Sequence, residues 1–98
     1  MAKPDLTLAS FHAQVTGLVQ GVYFRAFVEH HARTLGLTGY VRNVVLSGAV
    51  EVEAEGEKAK LERLLEYMHQ GPRAARVERV DIQWGNYTGR FPDFSITR

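Results

Sequence analysis

A short segment containing Gly17 and Gly21 separates a stretch with strand periodicity from one with helical periodicity. Over residues 8–16 apolar and polar side chains alternate, which predicts a strand covered on one face. Beyond the glycines, residues that would share one face of a helix recur at Phe24, Phe27, Val28, His31, Ala32 and Leu35. The chain must therefore bend from a strand into a helix within this segment, and Gly36 predicts where the helix ends.

The remaining chain repeats the same two kinds of pattern. Alternation predicts strands, and a stripe of Leu and Met residues at helical spacing predicts a second helix. In chain order we expect a strand at residues 38–43, a hairpin turn at residues 47–48, a strand at residues 49–55, a helix at residues 57–70, a strand at residues 77–84, a loop at residues 86–92 and a short edge strand around Phe94 and Ile96.

This order of elements, β-α-β-β-α-β, predicts an α+β chain with the ferredoxin-like, split βαβ fold. Because each strand has one apolar face, two helices should cover one face of an antiparallel sheet and leave the other to water. A length of 98 residues, of which 45% are hydrophobic and 23% charged, is typical of one globular domain. We therefore expect a single domain over residues 1–98, with residues 1–7 as a loose tail. The fold serves many functions and does not predict an activity.

Charge and composition narrow the class of protein. Twelve Lys and Arg against eleven Asp and Glu leave a formal charge of +1, which argues against holding nucleic acid through the overall field. The absence of cysteine excludes disulfides, thiol nucleophiles and zinc sites with cysteine ligands. The start, MAKPDLTLAS, lacks the apolar core of a signal peptide, and no apolar run is long enough to span a bilayer. We expect a cytoplasmic protein without a membrane or nucleic-acid partner.

The glycine segment, GLVQGVYFR at residues 17–25, can form an anion site. A backbone bent at glycines can turn N–H groups inward as a nest, and the helix start adds unpaired N–H groups and the positive end of its dipole. Arg25 is the only Asp, Glu, Lys or Arg between Leu6 and Val28, although a cation at a helix start is normally disfavoured. The alternative is that the glycines only permit a tight turn while Arg25 extends into solvent or meets a distant acid.

Two stricter phosphate motifs are absent from the chain. The Walker pattern GxxxxGKS/T fails because the second glycine comes one residue early and no Lys follows it. The dinucleotide pattern GxGxxG does not occur. A nucleotide-hydrolysing or nicotinamide-dependent enzyme is therefore unsupported.

GLVQGVYFR and the segment GYVRN at residues 39–43 together resemble the acylphosphatases, small enzymes of this fold that hydrolyse the carboxyl-phosphate anhydride of acyl phosphates. The resemblance covers nearly the whole chain, from about Phe11 through GAVEVEAEG at residues 48–56 to the C-terminus. It implies a hydrolase that needs no metal and no cofactor. Its partners would be a small acyl phosphate, and inorganic phosphate or similar anions as product or inhibitor.

The resemblance also implies a role for each matching residue. Arg25 would grip two phosphate oxygens with the parallel hydrogen bonds of its planar guanidinium, and Asn43 would place the attacking water with an amide that both donates and accepts. The backbone around the phosphate would be that of Leu18, Val19, Gln20, Gly21 and Val22. Neither motif contains a general base, so we expect a phosphate oxygen of the substrate to accept the proton of water.

Asn43 and the hairpin after it leave alternatives open. An Asn at a strand end can simply satisfy a turn. The family pattern has three residues between this Asn and the next glycine, whereas this chain has four, namely Val44, Val45, Leu46 and Ser47. We expect the extra residue to bulge away from Asn43. We also expect the apolar tip to fold onto the sheet and the protein to be a monomer, against the alternatives that the tip covers the site or forms a dimer.

Other side chains predict structural roles. The histidines lack the spacing of a metal site, at His12, His30, His31 and His69. A solvated strand face is expected from Glu51, Glu53 and Glu55, with Arg42 also in solvent. Core positions are expected for the aromatic residues Tyr23, Phe24 and Trp84.

Two functions of other classes compete with hydrolysis. RNA-recognition domains share this element order and stack bases on aromatic residues of the open sheet face. Here the outward positions are His12, Gln14 and the three glutamates, and such an acidic face would repel a phosphate backbone. A noncatalytic anion-sensing domain would keep the phosphate loop but would not need Asn43.

Overall fold

The computed structural model describes residues 7–98, so the predicted loose tail over residues 1–7 lies outside the described residues except for Thr7. All the predicted elements are present, and their ends differ from the predicted ones by two residues or fewer. They are β1 (Leu8–Leu18), α1 (Phe24–Thr34), β2 (Thr38–Val44), β3 (Ala49–Glu57), α2 (Lys58–Gln70), β4 (Arg76–Gly85) and β5 (Phe94–Ile96).

The strands form one sheet in the order β4-β1-β3-β2-β5. β1 pairs antiparallel with both β3 and β4, and β2 pairs antiparallel with β3, as predicted. The short edge strand β5 is also confirmed, but it pairs with β2 in parallel, which makes the sheet mixed. Both helices cover one face of the sheet, and the predicted ferredoxin-like fold is therefore confirmed.

The core lies between the helices and the sheet and is built from the apolar faces that the periodicity predicts. It includes Phe11, Ala13, Val15, Val50, Val52 and Ala54 from the sheet and Phe24, Val28, Ala32, Leu61, Leu64 and Met68 from the helices. Burying a large apolar side chain contributes about 1.5–3 kcal/mol relative to leaving it exposed. The buried face of α1 therefore packs that helix against β2 and β5.

The segment between β4 and β5 crosses the face of the sheet that the helices leave free, because these two strands lie at opposite edges. There Glu55 accepts hydrogen bonds from Thr88 Oγ1 at 2.7 Å, Gly89 N at 2.9 Å and Thr88 N at 3.2 Å. The prediction of a solvated glutamate face is wrong at Glu55, which is only 1% exposed. Burial alone would raise the pKa of Glu55, but these bonds outweigh burial and hold the pKa below its ordinary value.

The same prediction is wrong at Glu51, which is 9% exposed. Its carboxylate accepts hydrogen bonds from Arg42 Nε and from Tyr40 OH at 3.2 Å, and His12 Nε2 lies 2.8 Å away. Burial alone would raise the pKa of Glu51, but the bonds from Arg42, His12 and Tyr40 lower it below its ordinary value. Arg42 thus points away from the helices as predicted, yet it is ion-paired rather than free in solvent.

Two aromatic residues predicted to lie in the core are exposed instead. Trp84 is 45% exposed because it lies near the end of the edge strand β4, where its ring contacts Phe11 edge-on with centroids 5.7 Å apart. Tyr23 is 85% exposed. Its backbone is left-handed, with φ 63°, and this turn directs only the next residue, Phe24, into the core.

Candidate active site

The predicted site residues lie at the end of the sheet where β1 and β2 finish and α1 begins. Val50 of β3 pairs with Val15 of β1 on one side and with Asn43 of β2 on the other. β1 and β2 are thus parallel to each other and end at the same edge, two strand spacings or about 10 Å apart. The loop of residues 18–22 leaves β1 at this edge and leads into α1.

The backbone in and just before this loop favours glycine at two positions. A β-bulge lies between Thr16 and Gly17, where an added Cβ would stand 2.1 Å from the carbonyl oxygen of Arg76. Gly21 has φ 74°, a conformation that favours glycine. Among residues 7–98, none of the backbone hydrogen bonds outside helices and strands is donated by residues 19–23. These amides, together with the first amides of α1, are therefore available to an anion.

The side chain of Gln20 ties this loop to the β2–β3 hairpin. Its Nε2 donates to the carbonyl oxygen of Ala49 at 2.9 Å and to that of Val44 at 3.2 Å. Val44 and Ala49 are the last pair of the ladder before the hairpin turn, and Val44 directly follows Asn43. A single amide group thus couples the loop after β1 to the end of β2.

Arg25 lies in the first turn of α1 and is half-buried. The acids that form ion pairs within the described range are Glu29, Glu51, Glu66 and Asp81, and none of them pairs with Arg25. The first turn of α1 holds no acidic residue, and Tyr23 at its N-cap makes no side-chain capping bond. Positive charge at the helix start is therefore not neutralised by the described part of the protein.

A cavity of about 370 Å³ opens beside Arg25. Gly21 and Val19 of the loop line it together with Arg25. The other predicted loop residues, Leu18, Gln20 and Val22, and the predicted water-placing residue Asn43 do not line it. The structure therefore brings Arg25 to the loop directly, and it brings Asn43 near the loop through the Gln20 contact.

Asn43 is half-buried in β2 and lies on the same side of the sheet as the buried Val41. Its Oδ1 atom is buried and has no hydrogen-bond partner among the described residues. Leaving such an acceptor unpaired costs about 1–3 kcal/mol, and a donor such as a water molecule can satisfy it. The alternative that Asn43 merely satisfies a turn does not account for this atom.

The hairpin turn keeps the ladder regular up to the site. The pairs Asn43–Val50 and Val44–Ala49 are both in register, so the extra residue is absorbed in the turn, as predicted. The prediction that the apolar tip folds onto the sheet is wrong, because Val45 is 86% and Leu46 fully exposed. Gly48 N closes the turn on the carbonyl oxygen of Val44 at 3.0 Å, which directs the tip beyond the end of the sheet.

Other groups of polar residues lie away from this edge. A cavity of about 470 Å³ lies on the opposite face of the sheet, between β1 and β4, and contains none of the predicted site residues. His31 stacks on Tyr67 with ring centroids 3.7 Å apart, and His12 is engaged with Glu51. Within residues 7–98, no three His, Asp or Glu side chains are grouped as metal ligands would be. No helix in the described range is long and apolar enough to cross a membrane.

Sequence reasoning missed three side chains at this edge. Gln20 was assigned only a backbone role, although an amide in an otherwise apolar loop is a signal for a side-chain contact. The sequence predicts a core position for Tyr23, because no local pattern indicates its left-handed backbone. Ile96 of β5 also lines the cavity of Arg25, and no local pattern could reveal a contact between residues so distant in the chain.

The family model, a curated relative and two solved structures bear the same family description. The family model described as Acylphosphatase matches residues 11–96. A protein named Acylphosphatase from Anaeromyxobacter sp. (strain Fw109-5) is 52% identical over 89 residues, which cover 91% of this chain and 95% of that protein. A solved acylphosphatase from Coxiella burnetii has a TM-score of 0.86 and 35% identity, covering 93% of this chain and 94% of its own. A crystal structure of acylphosphatase from Bacillus subtilis has a TM-score of 0.88 and 31% identity, covering 92% of this chain and 99% of its own.

Proposed function

The chain belongs to the acylphosphatase family, and on this premise we propose that it hydrolyses acyl phosphates with the loop of residues 18–22, Arg25 and Asn43. Family membership makes the protein an enzyme of the hydrolase class. One observation carries the assignment of the site: Arg25, which has no ion-pair partner among the described residues, lines one cavity with Gly21 of the loop. The remaining residue roles follow from the chemistry of their groups.

The phosphoryl group of the substrate binds in the loop. Its oxygens accept hydrogen bonds from the free amides of residues 19–23 and from the start of α1, where the helix dipole also favours negative charge. Arg25 contributes two parallel N–H donors, which match two oxygens of a phosphoryl group. In the transition state, negative charge on these oxygens is stabilised by donors that need no rearrangement.

Asn43 positions the water that attacks phosphorus. Its buried Oδ1 accepts a hydrogen bond from this water, which aims a lone pair of the water at the phosphorus atom. A bond then forms between the water oxygen and phosphorus while the bond between phosphorus and the carboxylate oxygen breaks. The carboxylate leaves without needing a proton, because it is a weak base.

The water proton passes to a phosphate oxygen of the substrate rather than to a protein base. The proposed site contains no His, Lys, Asp or Glu, and an acyl phosphate is activated enough for positioning and charge stabilisation to suffice. A pH–rate profile that requires one protein group titrating near the range of histidine would contradict this step. We also propose that catalysis needs no metal.

The experiment compares hydrolysis of benzoyl phosphate, with a chelator present, by the intact protein and by folded Arg25→Lys, Arg25→Ala and Asn43→Ala variants. Arg25→Lys keeps the charge but removes the paired donors, so both Arg25 variants should lose more than about 10³-fold in kcat/KM. Asn43→Ala should lose about 10²–10³-fold in kcat while inorganic phosphate still binds. Arg33→Ala, an exposed arginine later on the same helix, is the matched control and should leave activity unchanged.

A second candidate is a noncatalytic anion-binding domain, and the free amides around Arg25 would serve it equally well. It differs in having no use for the buried Oδ1 of Asn43. Phosphate binding without turnover by the intact protein would establish this candidate. Loss of turnover on adding the chelator, with recovery on adding a divalent cation, would instead refute metal independence.

A further inference from the structure

We propose that the cavity beside Arg25 binds the acyl group of the substrate and selects neutral, apolar aryl or alkyl acyl phosphates. This inference rests on the proposed function and names its substrate class. Gly21 and Arg25, which hold the phosphoryl group, line the same cavity of about 370 Å³. The acyl group is joined to that phosphoryl group by one oxygen, so it must lie within a few ångströms of Arg25.

Apart from Arg25 and the Tyr23 phenol, the side chains that line the cavity are apolar. Val19 and Phe24 form its buried base, each 1% exposed, and also belong to the hydrophobic core. Tyr23 and Ile96 form its exposed sides, at 85% and 39% exposed. An apolar acyl group between these side chains would be removed from water together with them, which favours binding in proportion to the area covered.

Tyr23 is not explained by packing within the protein. It is the one non-glycine residue with positive φ in the described chain, and none of the ring contacts there involves it. Holding a bulky residue in this conformation costs of order 1 kcal/mol or more, and such residues cluster at ligand sites. A ring kept at the mouth of the cavity is accounted for if it contacts a ligand.

Ile96 reaches the cavity because β5 runs parallel to β2. Ile96 pairs with Val41, so the end of β5 arrives at the same edge of the sheet as Asn43. It contributes an apolar side chain where the side chains of the lining include no carboxylate, no carboxamide and no hydroxyl other than the Tyr23 phenol. A cationic acyl group would be repelled by Arg25, and an anionic one would compete with the phosphoryl group for it. The lining therefore fits a neutral apolar group.

The test compares kcat/KM for benzoyl phosphate and acetyl phosphate, which have leaving carboxylates of similar basicity but very different apolar area. The intact protein should favour benzoyl phosphate by at least about 10-fold. Ile96→Thr keeps a β-branched residue in the strand, and Tyr23→Asn places a residue suited to the left-handed backbone. Each should lower the ratio about 3- to 10-fold, chiefly through KM for benzoyl phosphate. Tyr87→Asn, at an exposed tyrosine far from the cavity, should leave the ratio unchanged.

A binding measurement separates failure of this inference from failure of the proposed function. Benzylphosphonate and methylphosphonate are not hydrolysed, and their dissociation constants should differ by a ratio that falls in the same two variants. Turnover with an unchanged substrate ratio in both variants would overturn the apolar subsite while leaving hydrolysis intact. Absence of turnover would refute the proposed function, and the phosphonate ratio would then decide the subsite by itself.

Discussion

The contact between Gln20 and the hairpin yields a sharp prediction, because two hydrogen bonds of one side chain connect the loop of residues 18–22 to β2 and β3. Gln20→Met keeps the length and approximate volume of the side chain but removes its donor. Both acceptors are backbone carbonyls, at 2.9 Å in Ala49 and 3.2 Å in Val44. The variant therefore tests the hydrogen bonds with little change in packing.

The expected magnitude follows from what each carbonyl retains. One neutral hydrogen bond contributes about 0.5–1.5 kcal/mol to stability, which gives about 1–3 kcal/mol for two. The carbonyl oxygen of Val44 keeps the bond from Gly48 N at 3.0 Å, so the loss should fall in the lower part of that range, about 1–2 kcal/mol. Released from the hairpin, the loop would shift relative to Arg25 and Asn43, and misplacement by about 1 Å can cost 10²-fold in rate.

The assay combines urea unfolding with the kinetics of benzoyl phosphate hydrolysis and inhibition by inorganic phosphate. Gln20→Met should lower kcat/KM about 10- to 100-fold and weaken inhibition by phosphate, at a temperature where the variant stays folded. Gln14→Met is the control, since Gln14 is an exposed glutamine of β1 on the opposite face. Normal turnover and normal phosphate inhibition in Gln20→Met would show that the two hydrogen bonds of Gln20 do not position the loop.

Three further predictions concern the glycines, a buried acid and the hairpin tip. Gly17→Ala would bring a Cβ to 2.1 Å from a backbone oxygen, whereas the Cβ of Gly21→Ala would meet nothing within 4 Å. In denaturant unfolding, Gly21→Ala should lower the free energy of unfolding by only about 1–2 kcal/mol, and Gly17→Ala should lower it clearly more. The lowered pKa of Glu55 stabilises the fold above its unfolded-state pKa, near 4.5, and this stability is lost as pH falls through the lower folded-state pKa. Glu55→Gln should therefore unfold more easily than the intact protein at neutral pH, yet its free energy of unfolding should fall less on acidification. An equal fall in the free energy of unfolding of both proteins would contradict this. We expect a monomeric mass in sedimentation at all concentrations, and a concentration-dependent dimer that Leu46→Ser abolishes would overturn it.

Local patterns were sufficient to predict the elements and the fold. Alternation in β1 and helical spacing in α1 correspond to faces that bury Phe11 and Phe24, since periodicity directly reports which side of an element meets the core. The antiparallel pairs followed from the element order. The parallel pairing of β5 with β2 did not, because a three-residue strand carries no signal for its partner.

The errors at Glu55 and Ile96 share one physical cause. Glu51 and Glu55 alternate with buried residues, so the sequence predicts that they face water. The structure covers that face with a segment more than thirty positions away, whose Thr88 and Gly89 bond to Glu55. Periodicity identifies a face but not what later passes over it, and the same limit explains why Ile96 was missed beside Arg25.

The parallel strand β5 also has a consequence for folding and solubility. Without it, β2 would be an edge of the sheet, and edge strands with unpaired N–H and C=O groups are templates for pairing with other chains. β5 can dock only after the preceding segment has crossed the whole sheet, because Phe94 pairs with Gly39 far back in the chain. Contacts between such distant residues form late, since a long loop must close first. We therefore expect the β2 edge to be the last to be protected during folding, and to be the part of the molecule from which aggregation starts.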